Sequence, residues 1–153
     1  PLFFIPLVLN GYLLTLLIVK KSMLNQKMII PISIVLVIMI DLVLDPAAVA
    51  LGFWAYGSGG EFYGVPYTNY QGWLISGGIS ILVVNSMFNK QKLLERIDGC
   101  EFGLDDMISF VLLWGLVNTY YGNWTPSVMA GVLAIGLWWV GRVDIRNILS
   151  KND

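Results

Sequence analysis

The apolar positions of this chain gather into long runs, each closed by charged or turn-forming residues. A helix that crosses a membrane needs about 20 mostly apolar residues, within about 17 to 25. Residues 2–19 meet that length, broken only by Asn10, Gly11, Tyr12 and Thr15, and stop at Lys20 and Lys21. A second run, 28–51, is apolar except for Asp41, Asp45 and Pro46. A third covers 72–88 and ends at Asn89 and Lys90, before a charged connector, 90–106, with Leu93, Leu94 and Ile97 at helical spacing. Residues 107–141 carry no charge and are too long for one helix. Gly122, Asn123 and Pro126 punctuate their middle and predict two short helices joined by a tight turn. The pattern as a whole predicts an all-α, polytopic transmembrane helix bundle of about five spans.

Charge placement tests that count independently. All nine Lys and Arg residues fall in three places: Lys20, Lys21 and Lys27; Lys90, Lys92 and Arg96; Arg142, Arg146 and Lys151. These follow the first, third and fifth spans, and the alternate loops hold Glu61 as their sole charge. The positive-inside rule then predicts a multi-pass protein of the cell membrane, N-terminus outside and C-terminus cytoplasmic. Small residues at four-residue spacing, Gly72, Ser76 and Ser80 and again Ala130 and Ala134, predict close helix packing.

Composition agrees. The 153 residues are 57% hydrophobic and 12% charged, against about 25% charged in a soluble domain, so lipid is the expected solvent. The absence of His removes imidazole ligation and the commonest general base. The lone Cys100 forms neither an internal disulfide nor a thiolate cluster. No metal site, no cofactor and no nucleic-acid partner is expected. No repeat or soluble domain boundary is visible, so residues 1–153 read as a single integral membrane domain. The chain opens on Pro1, which leaves room for a missing N-terminal part.

Candidate chemistry lies in DLVLDPAAVALGFWAYGSGGEFYGVPYTNYQGW, residues 41–73. Asp41 and Asp45 are four apart and share a helix face, their Cβ atoms roughly 5–6 Å from each other. At a rise of about 1.5 Å per residue, Asp41 lies roughly 20 Å from Met28, in the outer half of the membrane. Acidic residues within a span are costly and usually face the bundle interior. With no basic residue on that side, the two do not ionise easily together, and one is expected to stay protonated near neutral pH. That is the property of a general acid. Asp45 before Pro46 also fits a helix N-cap, with Pro at the first helical position.

Phe53, Trp54, Tyr56, Phe62, Tyr63, Tyr67, Tyr70 and Trp73 follow, with Gly57, Gly59, Gly60, Gly64 and Pro66 breaking regular structure among them. They fit an interfacial aromatic belt. They also fit an aromatic, Gly-rich re-entrant or lid-like loop over a cavity, whose ring faces suit a flat polyene or a developing carbocation. Asn123-Trp124-Thr125 matches a glycosylation acceptor, a common chance pattern.

Asp41-Leu-Val-Leu-Asp45-Pro46, Gly52-Phe-Trp54-Ala-Tyr56, Tyr63-Gly64-Val65-Pro66 and Asn69-Tyr70-Gln-Gly72-Trp73 occur in order over these residues. On this set the chain resembles the polytopic carotenoid-biosynthesis family that includes γ-carotene and bisanhydrobacterioruberin hydratases. The resemblance implies cofactor-free addition of water to the terminal carbon–carbon double bond of a linear carotenoid. Asp41 and Asp45 would then be the acid–base pair, with Glu61 as substitute. Trp54, Tyr56, Tyr63, Tyr67, Asn69, Tyr70 and Trp73 would bind substrate or steady a cation. Two other classes stay open: a proton- or cation-coupled transporter using Asp41 and Asp45, and an assembly protein whose acids only pack. Transporters usually show interrupted helices in both halves of the chain, and only Pro46 suggests one here.

Overall fold

The longest apolar run becomes the central helix of the bundle. In the computed structural model, which describes residues 4–57, 59–97 and 102–142, six α-helices follow one another. They are α1 (Phe4–Lys21), α2 (Ile29–Ala50), α3 (Tyr67–Met87), α4 (Lys90–Arg96), α5 (Phe102–Tyr120) and α6 (Trp124–Arg142). Among the described residues there is no strand, only one isolated bridge between Phe62 and Val65. Pro1, Cys100, Arg146 and Lys151, singled out above, lie outside the described residues.

Helix α2 packs against α1, α3, α5 and α6, while α5 and α6 form a tight hairpin. Val37, Ile40, Val43, Leu44 and Ala47 of α2 are buried with Leu16 of α1, Ile81 of α3 and Val111 of α5. The outer faces are as apolar as the core: Ile75 and Ile79 on α3, Leu113 and Leu116 on α5, and Val132 and Ile135 on α6 are all exposed. A shell of this kind has water as a poor solvent and lipid as a good one. The buried Thr15 and Ser33 hydroxyls are satisfied within their own helices, Thr15 donating to the Gly11 carbonyl and Ser33 to that of Ile29.

Two stretches, Phe4–Lys21 and Gln26–Ala50, are long and apolar enough to cross a membrane, or three if α3 and α4, bent by 86° at their junction, count as one span. Five crossings is more than length and composition alone support. The turn within 107–141 falls where expected: α5 ends at Tyr120, and Gly122 takes a positive φ of 77°. Its N–H donates to the Thr119 carbonyl and that of Asn123 to Asn118, closing a Schellman motif. Pro126 sits inside the first turn of α6, where its missing N–H has no helical partner to lose.

Four expectations need correction. Pro46 does not interrupt α2, which runs unbroken from Ile29 to Ala50, so Asp45 is not an N-cap and the interruption expected there is absent. The third helix starts at Tyr67, five residues early, because Glu61 and Pro66 provide its start. Asp105 and Asp106 belong to the first turns of α5 and not to a connector. Finally, Gly72 and Ser76 are exposed; it is Gly77 and Gly78 that are buried, against Val37 and Ile34 of α2. The Ala130 and Ala134 stripe does pack, and a Cβ placed on Gly115 would come within 2.5 Å of the Ala130 Cβ.

Two of the basic clusters converge at one end of the bundle. Lys20, at the end of α1, donates to the Leu94 carbonyl of α4, so the first and second basic clusters meet there. The 51–66 connection lies at the other end, where Tyr63 bonds with Thr125 at the start of α6.

Candidate active site in the acidic end of helix α2

Three local structures bring the site together. The first is the end of α2, where Gly52 takes a φ of 73°. Phe53 N–H reaches back to the Ala48 carbonyl and Gly52 N–H to that of Val49, the Schellman pairing that glycine permits. The chain is thereby turned back so that Phe53, Trp54, Ala55 and Tyr56 stand over the end of the helix they have just left. The second is a tight turn at Tyr63–Gly64. Both residues have positive φ, 50° and 85°, and Phe62 and Val65 exchange both backbone hydrogen bonds, as in a type I′ turn. The third is the start of α3, where the Glu61 carboxylate accepts from the Tyr67 N–H at 3.2 Å, opposite charge to the positive helix terminus.

Between these elements and the start of α1 lies a cavity of about 1030 Å³, at the upper end of the range of about 300–1,000 Å³ usual for small-molecule sites. Its walls are Phe4, Leu44, Asp45, Phe53, Trp54, Ala55, Tyr56, Thr68, Asn69, Gly72, Trp73 and Ser76. The lining is mostly apolar and aromatic, and Phe4 and Trp73 stack at 5.0 Å between ring centroids. Asp45 is the one charged residue type in that wall. Its Oδ2 accepts from the Asn69 amide at 2.5 Å and from the Tyr56 hydroxyl at 3.2 Å. Burial, and then the Asp45 carboxyl beside it, pushes the Tyr56 phenol above its ordinary range, so Tyr56 keeps the proton it donates.

Asp41 stands one turn deeper. It is 0% exposed, lies outside the cavity wall, and neither of its oxygens has a hydrogen-bond partner among the described residues. The structure therefore separates the two carboxyls: Asp45 meets the cavity, and Asp41 lies behind it.

Of the other residues singled out in the sequence, Trp54, Tyr56, Asn69 and Trp73 line the cavity with Asp45. Glu61, Tyr63, Tyr67 and Tyr70 do not. Glu61 serves α3 as described. Tyr63 shares a hydrogen bond with Thr125 at 3.0 Å, Tyr67 is exposed, and Tyr70 is buried against Phe62 with its hydroxyl unpartnered among the described residues. Phe4, Thr68 and Ser76 in the wall were missed. Thr68 and Ser76 carry a readable signal, since they share the four-residue spacing of Gly72 and so one face of α3.

This fold is that of a helical membrane protein with a carboxylate in the wall of an aromatic cavity. The chain matches the carotenoid biosynthesis protein family over residues 1–137 and belongs to that family. It is 46% identical over 144 residues to the bisanhydrobacterioruberin hydratase of Haloarcula japonica, an alignment covering 94% of this chain and 49% of that protein. The chain thus spans about half the length of the curated relative it matches. No solved structure matches it.

Proposed function

We propose that this chain carries the reacting site of a carotenoid hydratase, which adds water to the terminal double bond of a linear carotenoid. The observation that carries the reading is the Asp45 carboxyl, held by Asn69 and Tyr56 in the wall of an otherwise apolar, aromatic cavity. The family and the name of the relative support the substrate class.

In this mechanism Asp45, as the neutral acid, gives its proton to the less substituted carbon of the terminal alkene. The π bond is consumed, a C–H bond forms and the neighbouring carbon becomes a tertiary cation. The faces of Trp54 and Trp73 steady that cation. Water then forms the C–O bond and loses a proton to the carboxylate pair, which restores the acid. No electrons are exchanged, so the cycle needs no redox partner, and we assign no cofactor. Asp41 acts behind Asp45 as the second carboxyl of the pair. Tyr56 and Asn69 hold Asp45, and the 51–66 connection acts as a lid over the polyene end.

The same reading places α1, α2, α3, α5 and α6 as five crossings of one membrane domain, N-terminus outside, with the cavity near the outer interface. Water and the end of a membrane-spanning polyene meet at that depth. The test is expression of this chain in cells making bisanhydrobacterioruberin or lycopene, with pigments analysed by mass and chromatography. A tertiary alcohol heavier by one water is expected from the wild type and not from Asp45→Asn. An accumulated protein that yields no such product on either polyene, or an Asp45→Asn variant of full activity, would overturn the proposal.

A further inference from the structure

Pro46 sits inside α2, directly after Asp45 and one turn past Asp41. A proline there removes one N–H from the helical ladder and crowds the carbonyl of the preceding turn. The carbonyl that loses its donor is that of Leu42, four residues back. Helix α5 braces the next residue, Val43. Asn118 is 0% exposed, and its amide donates to the Val43 carbonyl of α2 at 2.7 Å, as well as to the Trp114 carbonyl in its own helix at 3.0 Å. Its Oδ1 accepts from the Asn123 amide at 3.0 Å, and Asn123 in turn reaches the Pro46 carbonyl at 3.5 Å. Two side chains from α5 and its turn therefore grip the backbone on both sides of Asp45.

We infer that Asn118, backed by Asn123, is a positioning residue that sets where Asp45 stands in the cavity wall. It touches neither the cavity nor the carboxyl. It acts through the backbone of the proline-bearing turn, and its bearing on turnover rests on the hydratase reading above.

The test uses the chain in membranes, with Asn118→Asp, which keeps the size but loses the donor, and with Asn118→Ala. Two quantities are read: hydration kinetics, and the infrared band of the Asp45 carboxyl, identified by its loss in Asp45→Asn. The Asn118 variants are expected to shift that band and to lower kcat at least tenfold, with KM within about twofold. An unshifted band in folded Asn118→Asp overturns the proposal, as does a kinetic loss confined to KM. Should the wild type add no water, the hydratase reading fails, and the band alone still decides whether Asn118 places Asp45.

Discussion

Asn69, in the first turn of α3, donates its amide to Oδ2 of Asp45, near the end of α2, across 24 positions of sequence. That bond fixes the register between the helix bearing the carboxyl and the helix bearing much of the cavity wall. A hydrogen bond to the neutral acid contributes about 0.5–1.5 kcal/mol, so Asn69→Ala is expected to slow hydration by about 2–10-fold. Protein accumulation should stay near the wild-type level. Asn69→Asp should do more harm, because it sets a second carboxyl against the first. The ratio of hydrated to unhydrated pigment in cells with matched protein levels checks both, and undiminished hydration by Asn69→Ala would remove this bond from the site.

Tyr56 approaches the same oxygen from the loop side, as a neutral donor. Its removal in Tyr56→Phe should cost about 0.5–1.5 kcal/mol, a loss of roughly 2–10-fold. Because the phenol lies above its ordinary value of 10.0 through burial and then the Asp45 charge, the folded protein holds this proton more tightly than the unfolded chain does. Its contribution to stability is therefore level below about pH 10 and declines above it. The ratio of wild-type to Tyr56→Phe activity should accordingly stay constant from about pH 6 to about pH 9. A ratio that fell to one within that window would mean that the phenol ionises there.

Much of this arrangement was legible in the sequence, and the misreadings have physical causes. The bounds of α2 followed from its apolar run, and the turn at Gly122 from a glycine and an asparagine in a charge-free stretch. Asp45 was visible because an acid within a span is costly. Pro46 suggested an interruption because an interior proline removes a ladder bond, yet α2 runs through it. Glu61 looked like a spare catalytic acid, yet its carboxylate is engaged at the start of α3. Gly72 and Ser76 suggested a packing stripe from spacing alone. Spacing reveals a shared face but not whether a helix or a cavity lies opposite. The separate positions of Asp41 and Asp45 were likewise hidden, since they depend on which of two neighbouring turns the cavity reaches.

The loop over the cavity is tied down at Tyr63, whose hydroxyl accepts from the Thr125 N–H at 3.3 Å and lies 3.0 Å from the Thr125 Oγ1. Tyr63 holds a φ of 50°, a conformation costing a non-glycine residue on the order of 1–3 kcal/mol. Tyr63→Phe keeps that cost and loses both bonds, so limited proteolysis within the 51–66 connection should speed up several-fold. Thr125→Ala removes only the hydroxyl and should have a smaller effect. Because the two residues share one contact, the double variant should match Tyr63→Phe alone. Rates that multiply instead would show that the tie does not restrain the loop.

Helix α5 also has to lie close enough for Asn118 to reach α2, and its packing on α6 depends on a gap one turn away, at Gly115. A Cβ built there would stand 2.5 Å from the Cβ of Ala130, well inside contact distance. Gly115→Ala gains up to about 1 kcal/mol of helix propensity but forces the hairpin apart, and overpacking of this kind costs about 1–3 kcal/mol. The net effect should be a loss. Gly136, on α6, has nothing within 4 Å of an added Cβ, so Gly136→Ala should be neutral or stabilising. The discriminating variant is the swap Gly115→Ala with Ala130→Gly, which removes the atom that the new methyl strikes. Thermal unfolding in detergent micelles should show Gly115→Ala below the wild type and the swap restored to near it. If the swap melts as low as Gly115→Ala alone, the collision with Ala130 is not what keeps residue 115 small.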